Sequence, residues 1–273
     1  MSLSAPAIRS RKRRNGGAPL VMVTAYDEPG ARFASAAGVD MILVGDSLAN
    51  VMLGQETTLQ ISVEQMSHHV RAVAAAKPEA HVVADMPWLS YHLDVADSVR
   101  NAAALIRSGA SSVKLEGGRV RQEVVRAILD AQIPVMGHLG LTPQSVMAFG
   151  GFKVQAKTLE TAKLLIEDAH LLQEEGIFAI VIEGVPSVVG KNATEALDIP
   201  TIGIGAGPDT DGQVLVFHDL LGLSNRSPAK FVRQYADLGP VITEAIRHYA
   251  EDVRSGAFPD ESEAYPNPDG LFD

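Results

Sequence analysis

Acidic side chains close several short apolar runs of this sequence, and together they could hold a metal ion. Asp46, Asp85 and Glu116 stand at the ends of three successive runs, and three carboxylates that converge repel one another. A hard divalent cation removes this repulsion, because it prefers oxygen ligands and keeps waters that a substrate can displace. The pattern predicts a divalent metal site, with Mg²⁺ expected and manganese, cobalt and zinc left open. Helix capping is the alternative role of Asp46 or Asp85 taken alone.

Lys114 and Glu116 flank one leucine in the run SSVKLEGG, residues 111–118. Residues two apart in a strand share a face, so both side chains point the same way, which capping does not explain. A buried lysine beside carboxylates can form an ion pair, bind an anion, or form a Schiff base with a carbonyl substrate. We expect Lys114 to anchor a substrate carboxylate, and the Schiff base leaves a lysine-dependent aldolase as a rival.

Glu183 and His138 add acid–base chemistry to these groups. Glu183 lies in the apolar run AIVIEGV, where a desolvated carboxylate is a better base near neutral pH, and pairing with a lysine is the alternative. His138 ends the run VMGH and can orient a substrate oxygen or serve a structural role, and His218 ends the eighth run. The glycine run Gly203–Gly207 lacks the spacing of a dinucleotide fingerprint, and we expect it to make room for a ligand or for close packing.

These residues need a scaffold that brings the ends of strands together. Eight β-rich apolar runs alternate with longer amphipathic segments, which predicts an α/β fold with a parallel sheet, and eight strands close a (β/α)8 TIM barrel. Active sites of such barrels lie where the strands end. The predicted strands cover Leu20–Asp27, Met41–Ser47, His81–Pro87, Ser111–Gly118, Pro134–Gly140, Phe178–Pro186, Pro200–Gly207 and Gln213–Asp219. The predicted helices include Val63–Ala76, Val95–Arg107, Arg121–Ala131, Leu159–Glu175 and Phe231–Arg254, the last of which should close the barrel.

The connection between the last two strands departs from an ideal barrel. Only residues 208–212 separate them, too few for a helix that crosses back over the sheet. Either one of the two strands is misplaced, or a short turn replaces the helix.

Composition and length favour one soluble globular domain. The 273 residues suit a single (β/α)8 domain spanning residues 1–273, with a short basic N-terminal arm and an irregular C-terminal tail from about residue 255. The basic run Arg9–Arg14 is expected to be a solvated arm. A formal net charge of -10 argues against a nucleic-acid partner, and the absence of cysteine excludes disulfides and thiolate chemistry. No apolar stretch approaches the ~20 residues of a membrane span, so we expect no membrane partner and a cytoplasmic location.

From Leu20 to Leu238 the chain closely resembles the ketopantoate hydroxymethyltransferase family. The resemblance is carried by MVTAYD, VGDSLANVMLG, VVADMPWLSY, VKLEGG, MGHLGLTPQSV, GGFKVQAK, IVIEGVP, TIGIGAG and DGQVLVFHDLLGL. It implies a barrel of the phosphoenolpyruvate/pyruvate type, a homodecamer, and the first committed step of pantothenate biosynthesis. Ala49, Asn50 and Trp88 depart from the family pattern and bear on the shape of the substrate pocket.

The resemblance also implies roles for individual residues. Asp46 and Asp85 correspond to direct metal ligands, and Glu116 to the third acid of that site. Ser47 and Lys114 correspond to contacts of the 2-keto acid, which the metal site and His138 would also touch. Glu183 corresponds to the general base that enolises 3-methyl-2-oxobutanoate before it takes a one-carbon unit from 5,10-methylenetetrahydrofolate.

Two rival functions remain besides the aldolase. One is another enolate enzyme of the isocitrate lyase or phosphoenolpyruvate mutase kind, but those lyases depend on a cysteine that this chain lacks. The other is a barrel without activity that serves as a scaffold, which the intact set of acids disfavours.

Overall fold

Eight parallel strands close into a barrel in the computed structural model, which describes residues 3–224 and 227–267. The strands are β1 Leu20–Thr24, β2 Met41–Val44, β3 His81–Asp85, β4 Ser112–Glu116, β5 Val135–Gly140, β6 Ala179–Glu183, β7 Thr201–Ile204 and β8 Gly212–Leu215. Each strand pairs with the next along the chain, and β8 pairs with β1. Every strand overlaps one predicted run, so the predicted (β/α)8 barrel is confirmed.

Helices form the outer layer of the barrel. They are α1 Ala5–Arg9, α2 Glu28–Ala36, α3 Leu48–Val51, α4 Val63–Ala75, α5 Val95–Arg107, α6 Gln122–Asp130, α7 Val146–Phe149, α8 Leu159–Glu175, α9 Ser187–Ala196, α10 Phe217–Leu220 and α11 Leu238–Ser255. Short 3-10 turns cover Arg13–Asn15, Thr58–Gln60, Arg119–Arg121, Pro143–Ser145 and Glu261–Glu263. Helices α4 and α8 begin where predicted because the hydroxyls of Ser62 and Thr158 accept backbone N–H groups of the first turn.

A short turn replaces the helix between β7 and β8. The two strands pair in parallel, with Ile202 opposite Gly212, and residues 205–211 contain no helix. Both predicted strands are therefore present, and the expectation that a short turn replaces the helix is correct.

The interior of the barrel is apolar toward the amino-terminal ends of its strands. Met22, Leu43, Val83 and Met136 belong to one buried cluster. Ala5 and Ile8 of α1 belong to the same cluster, and this N-terminal helix thus closes the end of the barrel opposite the expected site.

The basic run Arg9–Arg14 is exposed at Arg9, Arg13 and Arg14 but anchored to the barrel by Lys12, so the prediction of a solvated arm is wrong for Lys12. Lys12 is 1% exposed, and its Nζ donates to Asp211 Oδ2 at 2.7 Å. The same ammonium donates to the carbonyl oxygens of Thr194 at 2.7 Å and Ile199 at 3.0 Å. A carboxylate and two carbonyls compensate the cost of burying this charge, and sequence pattern does not reveal partners so distant along the chain.

The C-terminal helix α11 begins later than predicted and has no buried residue. Residues 231–237 are irregular, and Pro240 lies in the first turn, where a proline without an N–H is tolerated. The prediction that a helix from Phe231 closes the barrel is therefore wrong. Residues 256–267 are exposed and contain one 3-10 turn, while the end of the predicted tail, 268–273, lies outside the described residues. In the part of the chain that the structure describes, no helix is long and apolar enough to cross a membrane.

Candidate active site

One cavity at the carboxyl ends of the strands holds the residues singled out from the sequence. Parallel register places Asp85 beside Lys114 and Glu116 beside His138 on neighbouring strands. The cavity has a volume of about 200 Å³ and is lined by all seven predicted residues: Asp46, Ser47, Asp85, Lys114, Glu116, His138 and Glu183.

The three predicted metal-binding acids form a connected network. Asp85 Oδ1 lies 2.6 Å from Lys114 Nζ, and Asp85 Oδ2 accepts the backbone N–H of Asp46 at 2.9 Å. Gln144 joins the other two acids, because its side-chain Nε2 donates to Asp46 Oδ2 at 2.9 Å and its backbone N–H donates to Glu116 Oε2 at 3.0 Å. All five of these residues are buried.

The buried charges alter one another's protonation. Burial raises the pKa of Asp46 well above its ordinary value, and the neighbouring charges of Asp85 and Glu116 raise it further. Burial alone would lower the pKa of Lys114, but the three carboxylates around it raise that pKa above its ordinary value. Lys114 is therefore an ammonium ion at neutral pH, whereas a Schiff-base lysine must be a neutral amine to attack a carbonyl. This charge state disfavours the aldolase alternative.

His138 connects Glu116 to Glu183. Its Nδ1 lies 3.2 Å from Glu116 Oε1, and its Nε2 lies 3.1 Å from Glu183 Oε2. Burial and the Lys114 charge lower the pKa of His138, but the two glutamates outweigh them and raise it to about 9. Glu183, whose side chain is 16% exposed, lies at the cavity wall beside this imidazole.

Sequence reasoning missed Gln144 and Tyr91, which hold the acids in place. The Tyr91 hydroxyl donates to Gln144 Oε1 at 2.6 Å and accepts the backbone N–H of Glu116 at 3.2 Å. Gln144 lies in the 3-10 turn that follows β5, where no apolar run ends, so its position relative to the strands gives no signal of a site role. The one sequence signal for Gln144 is its place in MGHLGLTPQSV, a motif that carries the family resemblance.

Ser47 and one of the unusual positions also line the cavity. The Ser47 hydroxyl lies 2.8 Å from the Tyr26 hydroxyl, which fixes its orientation. Asn50 lines the cavity, whereas Ala49 and Trp88 are not among the lining residues. Of the three departures from the family pattern, Asn50 is therefore the one that shapes the pocket.

His218 does not join this site. It lies in α10 beyond β8, and its ring contacts the rings of Tyr26 and Phe217. Burial lowers its pKa. The prediction that His218 ends a strand is wrong, because β8 stops at Leu215 and the chain turns into a helix two residues later.

The chemistry of the donor set fits a hard cation. Asp46, Asp85 and Glu116 offer carboxylate oxygens to one buried cavity, and a cation would relieve the mutual repulsion that, besides burial, raises the pKa of Asp46. As they stand, these acids contact protein donors, and within residues 3–224 and 227–267 no three Asp, Glu or His side chains form a preformed ion cage. The fit rests on donor type, burial and charge.

A closed parallel barrel with acids, a lysine and a histidine gathered at its strand ends defines an enzyme of the (β/α)8-barrel class. A solved 2,3-dimethylmalate lyase, described as a PEP mutase/isocitrate lyase superfamily member, gives a TM-score of 0.61 at 17% identity over 97% of this chain and 93% of its own. A phosphonopyruvate hydrolase in complex with oxalate and Mg²⁺ gives 0.61 at 15% identity, covering 96% of this chain and 93% of its own. At these identities the likeness concerns the fold.

Residues 3–261 match the family model described as ketopantoate hydroxymethyltransferase, and the chain belongs to that family. It is 54% identical to 3-methyl-2-oxobutanoate hydroxymethyltransferase 2 of Bradyrhizobium diazoefficiens, with 97% of this chain and 90% of the relative covered. It is 51% identical to the 3-methyl-2-oxobutanoate hydroxymethyltransferase of Syntrophomonas wolfei, with 97% and 96% covered. The family expected from the sequence motifs is confirmed.

Proposed function

We propose that this chain transfers a hydroxymethyl group from 5,10-methylenetetrahydrofolate to C3 of 3-methyl-2-oxobutanoate. The products are 2-dehydropantoate and tetrahydrofolate, and one water supplies the oxygen of the new hydroxymethyl group. The observation that carries this proposal is the cavity in which an ammonium, three acids and a further glutamate held by His138 face one another. Such a cavity can bind a 2-keto acid by its oxygens and remove a proton from its C3.

Lys114 and Ser47 bind the keto acid in this proposal. The Lys114 ammonium supplies a positive charge for the substrate carboxylate at the cavity floor. Ser47, oriented by Tyr26, supplies a hydroxyl at the wall. Both contacts fix the substrate so that C3 faces β6, where Glu183 ends the strand.

Glu183 acts as the general base. Its carboxylate takes the C3 proton, and the electron pair of the C–H bond moves into the C2–C3 bond while the keto oxygen gains negative charge. His138 Nε2, which lies 3.1 Å from Glu183 Oε2, positions the carboxylate during this step. Water cleaves the methylene carbon from N5 and N10 of the folate, which gives formaldehyde and tetrahydrofolate. The nucleophilic C3 attacks the formaldehyde carbon while the electron pair of its C=O bond moves to oxygen, which takes the proton from Glu183 and becomes the new hydroxyl.

Asp46, Asp85 and Glu116 would hold a divalent cation, with Mg²⁺ as the first candidate. When bound, the cation supplies Lewis-acid stabilisation of the charge that develops on the keto oxygen. Gln144 positions two of the three acids through its side chain and backbone. The donor set, with its three carboxylates and no sulfur, is suited to a hard ion.

Metal removal tests this proposal directly. In D₂O the wild-type enzyme should exchange the C3 hydrogen of 3-methyl-2-oxobutanoate for deuterium without folate, as followed by ¹H NMR. Treatment with a chelator should abolish exchange and product formation, and added Mg²⁺ should restore both. Exchange that continued at the full rate after chelation would contradict the metal role. A wild-type enzyme that formed no 2-dehydropantoate from the two substrates would contradict the function.

The rival functions lack support from the site. A lysine-dependent aldolase would form an imine that borohydride traps, whereas the ammonium of Lys114 is held in an ion pair with Asp85. A lyase that depends on cysteine is excluded by composition. A scaffold without activity does not need a buried set of acids that costs folding free energy.

We also propose a homo-oligomer, a homodecamer by family resemblance, that works in the cytoplasm. Ile242, Ile246, Tyr249 and Val253 recur on one side of α11, and each is about half exposed or more. An exposed apolar stripe of this kind is typical of an interaction surface.

Ile246→Glu should therefore lower the molar mass of the assembly measured by light scattering at a fixed protomer concentration. The matched control is Glu251→Lys on the opposite side of the helix, which should leave the mass unchanged. A monomeric wild-type protein, or an unchanged mass in the Ile246→Glu variant, would contradict the role of this surface.

A further inference from the structure

Two phenylalanines stand at the mouth of the active-site cavity. Phe152 follows β5 and α7, Phe231 follows α10, and both line the cavity while remaining 56% and 42% exposed. Aromatic rings are usually buried in a folded domain, because each offers a large apolar surface. The Phe152/Phe231 mouth therefore presents flat apolar surface to whatever occupies the cavity entrance.

Phe231 packs on the glycine run although it lies in an irregular segment. Its ring packs on the backbone of Gly205, where a Cβ would lie 2.7 Å from the ring atom Cδ1. Gly205 also has a φ of +62°, a conformation that favours glycine. The glycine run, expected to make room for a ligand or for close packing, thus makes room for this ring, which lines the same cavity as the acids.

Exposed lysines are the sequence neighbours of both phenylalanines. Lys153 follows Phe152, and Lys230 precedes Phe231. Neither lysine takes part in an ion pair among the residues that the structure describes. In a chain with a formal net charge of -10, exposed lysines next in sequence to residues that line the cavity are suited to an anionic ligand.

We infer that the Phe152/Phe231 mouth binds the pteridine ring of the folate co-substrate and that Lys153 and Lys230 bind its glutamate carboxylates. This inference rests on the proposed function and adds the residues that recognise the second substrate. A reduced folate combines a flat heteroaromatic ring with an anionic tail, and the mouth offers two aromatic side chains, each with an exposed lysine as its sequence neighbour. The keto acid instead belongs to the polar floor, where Lys114 and the acids lie.

The test separates folate binding from enolisation. Phe152→Leu and Phe231→Leu keep apolar volume but remove the ring, so each should raise the KM for 5,10-methylenetetrahydrofolate and the Kd for tetrahydrofolate about three- to tenfold. The folate-independent C3 exchange and the KM for the keto acid should stay within about twofold of wild type. Met147→Leu is the matched control, because Met147 is exposed on α7 and does not line the cavity.

The lysines are tested with folates of different charge. Lys153→Gln combined with Lys230→Gln should weaken binding of a tetrahydrofolate triglutamate more than that of the monoglutamate, again without change in C3 exchange. Unchanged folate KM and Kd in both phenylalanine variants would overturn the inference. A parallel loss of C3 exchange would also overturn it, since the rings would then act on the keto acid. Failure of the wild type to exchange C3 or form product would instead overturn the proposed function.

Discussion

Replacing Glu183 by glutamine should reduce C3 exchange of 3-methyl-2-oxobutanoate and overall turnover by about 10²- to 10⁴-fold. Glutamine keeps the size of the side chain and can still contact His138 Nε2, which lies 3.1 Å from the carboxylate. It cannot accept the C3 proton at neutral pH. Because Glu183 is not among the acids assigned to the metal, the Kd for the keto acid should change only a few-fold. Exchange is measured by ¹H NMR in D₂O with Mg²⁺, and binding by calorimetry.

Two further variants make this result specific. Glu195→Gln changes the same side-chain type at an exposed position of α9 and should leave exchange unchanged. His138→Gln should cause a smaller loss than Glu183→Gln, because it removes the group that positions the base while the base remains. Full exchange in the Glu183→Gln protein would assign the base elsewhere.

Replacing Lys12 by methionine should lower the free energy of unfolding by about 3–5 kcal/mol. The Lys12 ammonium is buried, and its removal leaves the Asp211 carboxylate, only 1% exposed, without its cationic partner. The carbonyl oxygens of Thr194 and Ile199 would lose a donor as well. Urea unfolding at a fixed protein concentration measures the loss, since assembly makes apparent stability depend on concentration.

The control for Lys12 is its neighbour Arg14, which pairs with Asp198 at the surface. Both partners are more than a third exposed, so Arg14→Met should cost less than about 1 kcal/mol. Asp211→Asn added to Lys12→Met should recover part of the lost stability, because it removes the uncompensated charge. A loss in the Lys12 variant as small as that of Arg14→Met would mean that solvent reaches Asp211.

Much of the site follows from local sequence. Asp85, Glu116 and Glu183 each close a short apolar run, and in a parallel barrel the carboxyl ends of all strands meet at one end. Once the runs are assigned as strands, convergence of these side chains is a consequence of topology. Successive side chains of a strand point to opposite faces, which predicts that Lys114 and Glu116 share a face. Both residues line the cavity. The helices α5 and α8 have the bounds expected from their periodicity.

The tertiary structure decided the features that depend on contacts between distant segments. Gln144 joins Asp46 across 98 positions of the chain, and Lys12 meets Asp211 across 199. Neither contact leaves a periodic pattern in the sequence. The role of a loop side chain or a buried lysine depends on its partner elsewhere in the chain and not on the periodicity of a strand or helix. The sequence by itself therefore determined the barrel, the family and the acids at the strand ends. The positioning residues, the anchored basic run and the aromatic mouth became visible only when folding brought separate segments together, since their energies come from long-range pairing and packing.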